Sequence, residues 1–498
     1  MKKSLVGLFL LGLMFTFLLC FGNHNPSFKE EERMELSNTA GLNENYKALA
    51  NGSTYVFTDK EKIDGYQAGT LSSDTTEITV DSKKNHGTQE NPYVIDSVSG
   101  WNKFMDDLPS SSYGYGYYYV LTADLDFNWS IPKNDIFCGT FYGLGHTISN
   151  ITFDTTSNIY SATGLFRGLF AGAVVTDIRT NFKVENTYLN TGGIAGYADD
   201  GYVLNCVSKG VVNHTENSSD PNPPSIGGIV GITHGKNPYE YTTDYETHCY
   251  FYRCTGELTF TGNISNTDRN YQLGGLIGLA WNKSYLHISN SYGKVTANIS
   301  KSLNQLYVAG VLGITSNWKL LEIDNSIGVC DVSTTASISA SKITGLFSTT
   351  YDNTAITLGP ITVMNCYSYG ENNSKTVYPT ASWNQNNFTN STTISTSNIY
   401  YSGPTTAVDT SNSDLLVAKN PTFCASENDL WQNAKGNGYL KANIWNLNQL
   451  APTNLYEQAP VRNSLQTSNF TVSYYNLRIS DGKEQEESLA DTTNYTLT

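Results

Sequence analysis

Gly193-Ile194-Ala195-Gly196, followed by Val203-Leu204-Asn205-Cys206-Val207-Ser208-Lys209-Gly210, is the first copy of a unit that returns down the chain. It recurs at Gly228-Ile229-Val230-Gly231, at Gly275-Leu276-Ile277-Gly278 with Ile288-Ser289-Asn290-Ser291-Tyr292-Gly293, and at Gly310-Val311-Leu312-Gly313. A worn copy stands at Gly345-Leu346-Phe347-Ser348. The leading glycines are 35, 47, 35 and 35 residues apart. A fixed period of this size marks a repeat architecture in which each unit buries its apolar face only by stacking on its neighbours. Function then sits in loops and along a lateral face rather than in the repeat itself.

Within one copy, Gly275 to Leu279, Leu286 to Ser291 and Lys294 to Ile299 are strand-sized. The reading is therefore about three strands per coil, with parallel neighbours ~4.8 Å apart and right-handed connections. Phe166, Ile178, Ile194, Val203, Ile229, Leu276, Ile288, Val311, Ile323, Leu346 and Val363 are the expected interior positions. Glycines such as those of Gly139 to Gly145 suit tight corners with φ > 0. Asn205, Asn290, Asn325 and Asn365 recur just before a Cys/Ser position, with Arg253 interrupting; an amide ladder satisfying corner backbone is the expected role. Cys206, Cys254 and Cys366 share a place in the repeat with Ser291 and Ser326, so a small buried side chain is wanted there and free thiols are expected. Cys206 and Cys254 are the one pair placed for a bridge.

Residues 1–22 read as a signal peptide: Lys2 and Lys3, then an apolar run to Phe21. Lipidation at Cys20 or retention as an anchor would be the only tie to a membrane. Residues 23–86 read as a flexible leader with a short strand at Tyr55-Val56-Phe57, 87–462 as the β-helix, and 463–498 as a polar tail, either disordered or the stub of a lost module. Ser97 to Leu108, with Val98, Trp101, Phe104 and Met105 at helical spacing, is a helix that caps the N-terminal end of the stack. Ser397 to Arg462, with Trp431 and Trp445, supplies a C-terminal cap. The fold class is thus all-β, a right-handed parallel β-helix with an N-terminal capping helix and a C-terminal cap.

These motifs together resemble the GLUG-repeat family of exported bacterial proteins, over roughly residues 87 to 460. The resemblance implies a right-handed parallel β-helix on a secreted or cell-surface protein, without implying one activity. Some members carry the repeats beside an IgA-cleaving metallopeptidase domain. That chemistry needs a His-Glu-x-x-His helix, and no histidine of this chain is followed by glutamate.

A formal net charge of −15 argues against a nucleic-acid partner, which requires a basic face. Glycoside cleavage needs two facing carboxylates. Asp124 with Asp126, Asp199 with Asp200 and Asp244 with Glu246 are the pairs to test; the first two read better as turn residues. The long spacing marks an insertion, about Gly235 to Arg253, rich in aromatics: with His234 beside it, it holds Tyr239, Tyr241, Tyr245, His248, Tyr250 and Tyr252. Such residues suit stacking on sugars or a protein partner, or packing on the rod. Tyr113-Gly114-Tyr115-Gly116-Tyr117 is either a second aromatic patch or a turn. Asn-x-Ser/Thr sequons such as Asn128 and Asn150 are expected by chance in so Asn-rich a chain. No residue is assigned a catalytic, cofactor-binding or metal-binding role, and no cofactor is expected. The expectation is a non-catalytic secreted or surface protein for adhesion or recognition of glycans or proteins; the alternative is a polysaccharide-degrading lyase or glycoside hydrolase.

Overall fold

The computed structural model describes residues 92–108, 113–153, 162–187, 189–214, 224–234, 248–263, 266–281, 284–301, 303–335, 338–350, 359–372, 377–378, 381–382, 394–403, 422–440, 445–447 and 451–454, with Gly87 and the strands 54–58, 473–480 and 483–487. The signal segment and Cys20 lie outside these residues.

The chain winds as a parallel β-helix. Each complete coil contributes four short strands, not three, one to each of four sheets. In the coil that begins at Asn266 these are Asn266–Gly274 (sheet I), Ile277–Trp281 (sheet II), Tyr285–Ser289 (sheet III) and Tyr292–Ile299 (sheet IV). The four sheets hold 7, 8, 10 and 10 strands, and all their pairings are parallel. Ten rungs along sheets III and IV give a length of ~43 Å at the usual strand spacing. The strand missed by the sequence reading is the one before the glycine pair. Its sequence is polar except for Tyr271 and Leu273, so it carries no apolar run of its own.

Register is set by the inward residues. On sheet III, Phe141, Val175, Val203, Phe251, Ile288, Ile323 and Val363 pair in unbroken succession and are all buried. At the corner between sheets I and II, Ile194, Ile229, Leu276, Val311 and Leu346 are each 0% exposed. Their backbones are chained directly: Ile194 N–H donates to Ile229 O (2.9 Å), Ile229 to Leu276 (2.9 Å), Leu276 to Val311 (3.0 Å) and Val311 to Leu346 (3.1 Å). All eleven expected interior residues are buried.

The repeated glycines are needed for close approach rather than for backbone conformation. A Cβ on Gly275 would lie 1.9 Å from the Gly310 carbonyl oxygen, and one on Gly228 would lie 2.2 Å from that of Gly275. Neither glycine has a positive φ. That duty falls to the corner between sheets III and IV, where Asn205, Arg253, Asn290, Asn325, Asn365 and Asn398 have φ of 47–54°. Asparagine tolerates the left-handed region better than other residues with a Cβ, which explains its recurrence. The expected amide ladder is present in part: Asn398 Nδ2 donates to Asn365 Oδ1 at 2.8 Å, whereas Asn365 Nδ2 donates to Asp324 Oδ1.

One residue on, Cys206, Cys254, Ser291, Ser326 and Cys366 are buried inside. Ser291 Oγ donates to Ser289 O at 2.8 Å, and Cys366 Sγ to Met364 O at 3.0 Å, so the position wants a small donor facing the carbonyl two residues back. Cys206 and Cys254 are unbridged thiols. Burial first of all pushes the Cys254 thiol up to about 12.

Helix α1 spans Val98–Asp107, with Ser97 Oγ accepting from Gly100 N at its N-cap. It packs on terminal strands of sheets III and IV, and Trp101 sets its edge on Phe141 (5.7 Å) beside Phe166. A second helix, α2 (Glu427–Gly436), is unanticipated by the sequence reading. Its Leu430, Trp431 and Ala434 join Trp445 in a cluster separate from the interior, over the outward residues Tyr292, Ile327 and Tyr367 of sheet IV. The C-terminal tryptophans therefore cover a side of the stack. The strand expected at Tyr55–Phe57 lies within Thr54–Thr58, which pairs antiparallel with Ser473–Ser480; that strand in turn pairs with Lys483–Glu487. Two segments read as leader and tail thus share one small sheet.

Leu276→Ala should lower stability by about 2–5 kcal/mol, the usual range for emptying a buried leucine site. Gly275→Ala should lower the unfolding midpoint clearly despite adding only a methyl group. Urea unfolding followed by circular dichroism checks both, and an unchanged midpoint for Gly275→Ala would contradict the close-approach argument.

Candidate functional site

The acidic pairs separate cleanly. Asp124 Oδ1 accepts from Thr147 N (2.9 Å) and from His146 Nδ1 (3.1 Å). Asp126 Oδ1 accepts from Asn128 N (2.8 Å) and Asn150 Nδ2 (2.9 Å), and these bonds hold its carboxyl below the usual range. Both are turn-capping residues. Asp199 and Asp200 are buried in the turn between Ala195–Ala198 and Gly201–Leu204. Asp244, Glu246, Tyr239, Tyr241 and Tyr245 lie outside the described residues. Tyr113 to Gly116 form a turn in which Tyr113, Gly114 and Gly116 all have positive φ, and Tyr117 leans on Tyr93 at 6.0 Å.

The two ends of the insertion lead into ordered aromatic clusters. His234 ends a strand of sheet II, and His248 begins one of sheet III, so His248 to Tyr252 belong to the rod rather than to a loop. On sheet II, Phe170 stacks on Tyr197 (5.3 Å, 10°), Tyr197 on His234 (6.0 Å, 23°), and His234 meets the edge of Trp281 (5.3 Å, 85°). The first three are partly or fully buried, whereas Trp281 is 42% exposed.

Around the corner, the outward face of sheet III carries a second column. Tyr202 pairs with Tyr250, Tyr250 with His287, and His287 with Glu322, one residue per coil. Tyr202 and Tyr250 are nearly parallel at 5.0 Å, and Tyr250 and His287 at 4.3 Å. His248 stacks on Tyr285 at 4.6 Å. His287 Nδ1 donates to Glu322 Oε2 at 2.7 Å, and His287 Nε2 lies 3.0 Å from His248 Nδ1. The carboxylate fixes which nitrogen of His287 carries the proton. In the neutral pair Nε2 of His287 therefore accepts, and His248 Nδ1–H donates. Burial first, and the neighbouring His287 second, hold the His248 imidazole down to about 3, so it is neutral at ordinary pH.

Two residues beyond Glu322 on the same strand, burial pushes the Asp324 carboxyl up to about 6, against the hydrogen bonds from Asn365 and Asn325. Among the described residues, no group of three or more His, Cys, Asp or Glu side chains is arranged to hold a metal ion. His287, Glu322 and Trp281 escaped the sequence reading. The available signal was phase: His287 and Glu322 are one 35-residue repeat apart, and register puts both in line with Tyr250.

No family model matches the chain. An alignment 209 positions long, covering 39% of this chain and 2% of the relative, shows 24% identity to halomucin of Haloquadratum walsbyi. Among solved structures, a Bacteroides ovatus chain provisionally described as an immunoglobulin A1 protease is similar over 74% of this chain and 94% of its own, at 17% identity and a TM-score of 0.40. At that score the likeness adds nothing to the fold, which rests on the strand pairing itself. No helix among the described residues is long and apolar enough to cross a membrane.

His146 supplies a test of the turn network. Burial, outweighing Asp124, holds its imidazole below the ordinary value near 6.5. As pH falls below that value, the unfolded chain takes up this proton before the folded chain does, so stability falls with falling pH. Replacing His146 with Gln should flatten the decline between pH 7 and 5, measured by urea midpoints; an unaltered slope would show that His146 does not contribute.

Proposed function

We propose that this chain is a secreted or surface-displayed β-helical protein that recognises extracellular glycans, alone or on proteins, without catalysis. It would bind along the corner between sheets II and III. The observation that carries the reading is the aromatic run Phe170–Tyr197–His234–Trp281, in which the first three rings are partly or fully buried and the fourth is 42% exposed. A rigidly backed indole beside polar ground is the arrangement that stacks on a sugar ring at little entropic cost. The insertion leaves the rod at His234, one end of this run. A net charge of −15 and the small charged fraction favour neutral over anionic glycans. Local similarity to a protein named halomucin supports an exported setting. Trp281→Ala should weaken binding to the best neutral glycan on an array by at least tenfold, with the unfolding midpoint unchanged. Equal binding by the variant would remove the site from consideration.

A second reading, polysaccharide cleavage, has one observation in its favour. Glu322 and Asp324 alternate on the outward face of one strand, beside stacked aromatics, and Asp324 is pushed up to about 6, where a general acid operates. Both Asp324 oxygens, however, already accept from amides of Asn365 and Asn325. Release of reducing ends by the native chain, lost in both Glu322→Gln and Asp324→Asn, would establish this reading; no release from any bound glycan is the expected result.

A further inference from the structure

We infer that His248, His287 and Glu322 form a proton-sensitive latch across three coils, which accepts one proton with its hydrogen bonds intact and opens on the second. The inference rests on the geometry of the three side chains and is independent of the recognition reading. The two imidazoles meet head on: their ring centres are 5.3 Å apart at 16°, and His248 Nδ1 lies 3.0 Å from His287 Nε2. The far nitrogen of His287 donates to Glu322 at 2.7 Å. A gap of 3.0 Å holds one hydrogen, carried by one nitrogen and accepted by the other. His248 is the first residue of its strand, which keeps unbroken register with Tyr285–Ser289, so loss of this contact frays the rung from its end.

One added proton leaves both of these hydrogen bonds in place. It enters at His248 Nε2, the Nδ1 proton passes to His287 Nε2, and that ring becomes an imidazolium between an imidazole acceptor and the Glu322 carboxylate. The His287 and Glu322 side chains are 12% and 13% exposed, so water screens their attraction little. A second proton has only His248 Nδ1 left to bind. Two N–H groups and two cations then face each other across one gap, with one carboxylate bonded to the pair, and the contact is lost. The other groups nearby do not relieve this. Tyr250 stacks on His287, Tyr285 on His248 and Tyr202 on Tyr250, and these hydroxyls, like that of Tyr252, stay uncharged in acid. Asp200 bears on Tyr250 from the preceding coil, and both oxygens of Asp324 accept from asparagine amides. Burial already opposes charging His248, which is held down to about 3. The stability supplied by the latch is therefore complete above the unfolded value near 6.5 and is lost as pH falls toward 3.

Hydrogen–deuterium exchange of the full chain is followed by mass spectrometry from about pH 8 to about pH 4, with intrinsic exchange rates divided out. Between about pH 7 and pH 4, protection of His248–Tyr252 and Tyr285–Ser289 should fall about tenfold or more beyond that of Tyr292–Ile299 in the same coil. His248→Gln and His287→Gln should each abolish that difference, because a single imidazole meets no second cation. Glu322→Gln should move its onset to higher pH, because the first imidazolium then lacks a counter-charge. The native chain decides the matter even where a variant fails to fold: protection that falls equally in these strands and in Tyr292–Ile299 overturns the proposal. So does a difference that survives in both histidine variants.

Discussion

The whole structure depends on how closely one coil can lie on the next at the corner between sheets I and II. There the backbone N–H of each coil donates straight to the carbonyl of its neighbour, through Ile194, Ile229, Leu276, Val311 and Leu346. Glycine precedes each of these residues, and a Cβ on it would fall inside the next coil's carbonyl at Gly228 and Gly275. The absence of side chain on one residue lets the apolar side chain of the next point inward in every coil. Packing and hydrogen bonding are thereby coupled: loss of the approach would break the ladder and open the core together.

From that constraint the remaining geometry follows. Because register is kept between neighbours, an outward position in one coil meets the same position in the next. Single residues of unremarkable chemistry become columns, as Tyr202, Tyr250, His287 and Glu322 do on sheet III, and as His234 and Trp281 do on sheet II. A rod of this kind needs no pocket to bring functional groups together, since its period does so along the surface.

How much of this was legible in the sequence can be traced to particular residues. The interior column was readable because an apolar residue after glycine recurs in phase. The residues of helix α1 were readable because Val98, Trp101, Phe104 and Met105 keep helical spacing after a serine. The fourth strand was hidden: Asn266–Gly274 is polar except for Tyr271 and Leu273, too little apolar pattern to mark a strand. Asparagine's place at the other corner was found, and the amide bond from Asn398 to Asn365 is part of its cause, but the cause shared by all the copies was not seen. The cause is a left-handed backbone, which a sequence reports only through residue preference. Helix α2 was overlooked although Ser426 and Leu430, Trp431 and Ala434 carry its signal, because strand-like neighbours dominated the reading. His287 and Glu322 were invisible as isolated residues, since their partnership exists only across coils.

The account stands on coils stacked in constant register. Lys183, Val211, Thr259, Thr296, Asp331 and Glu371 occupy one outward position on successive strands of sheet IV. Distances between spin labels placed in pairs at Lys183 and Thr296, Lys183 and Asp331, and Lys183 and Glu371 test the stacking most directly. The account predicts separations that grow by ~5 Å per added coil, from ~14 to ~24 Å. Separations that fail to rise with coil number, or that scatter over tens of ångströms, would contradict it.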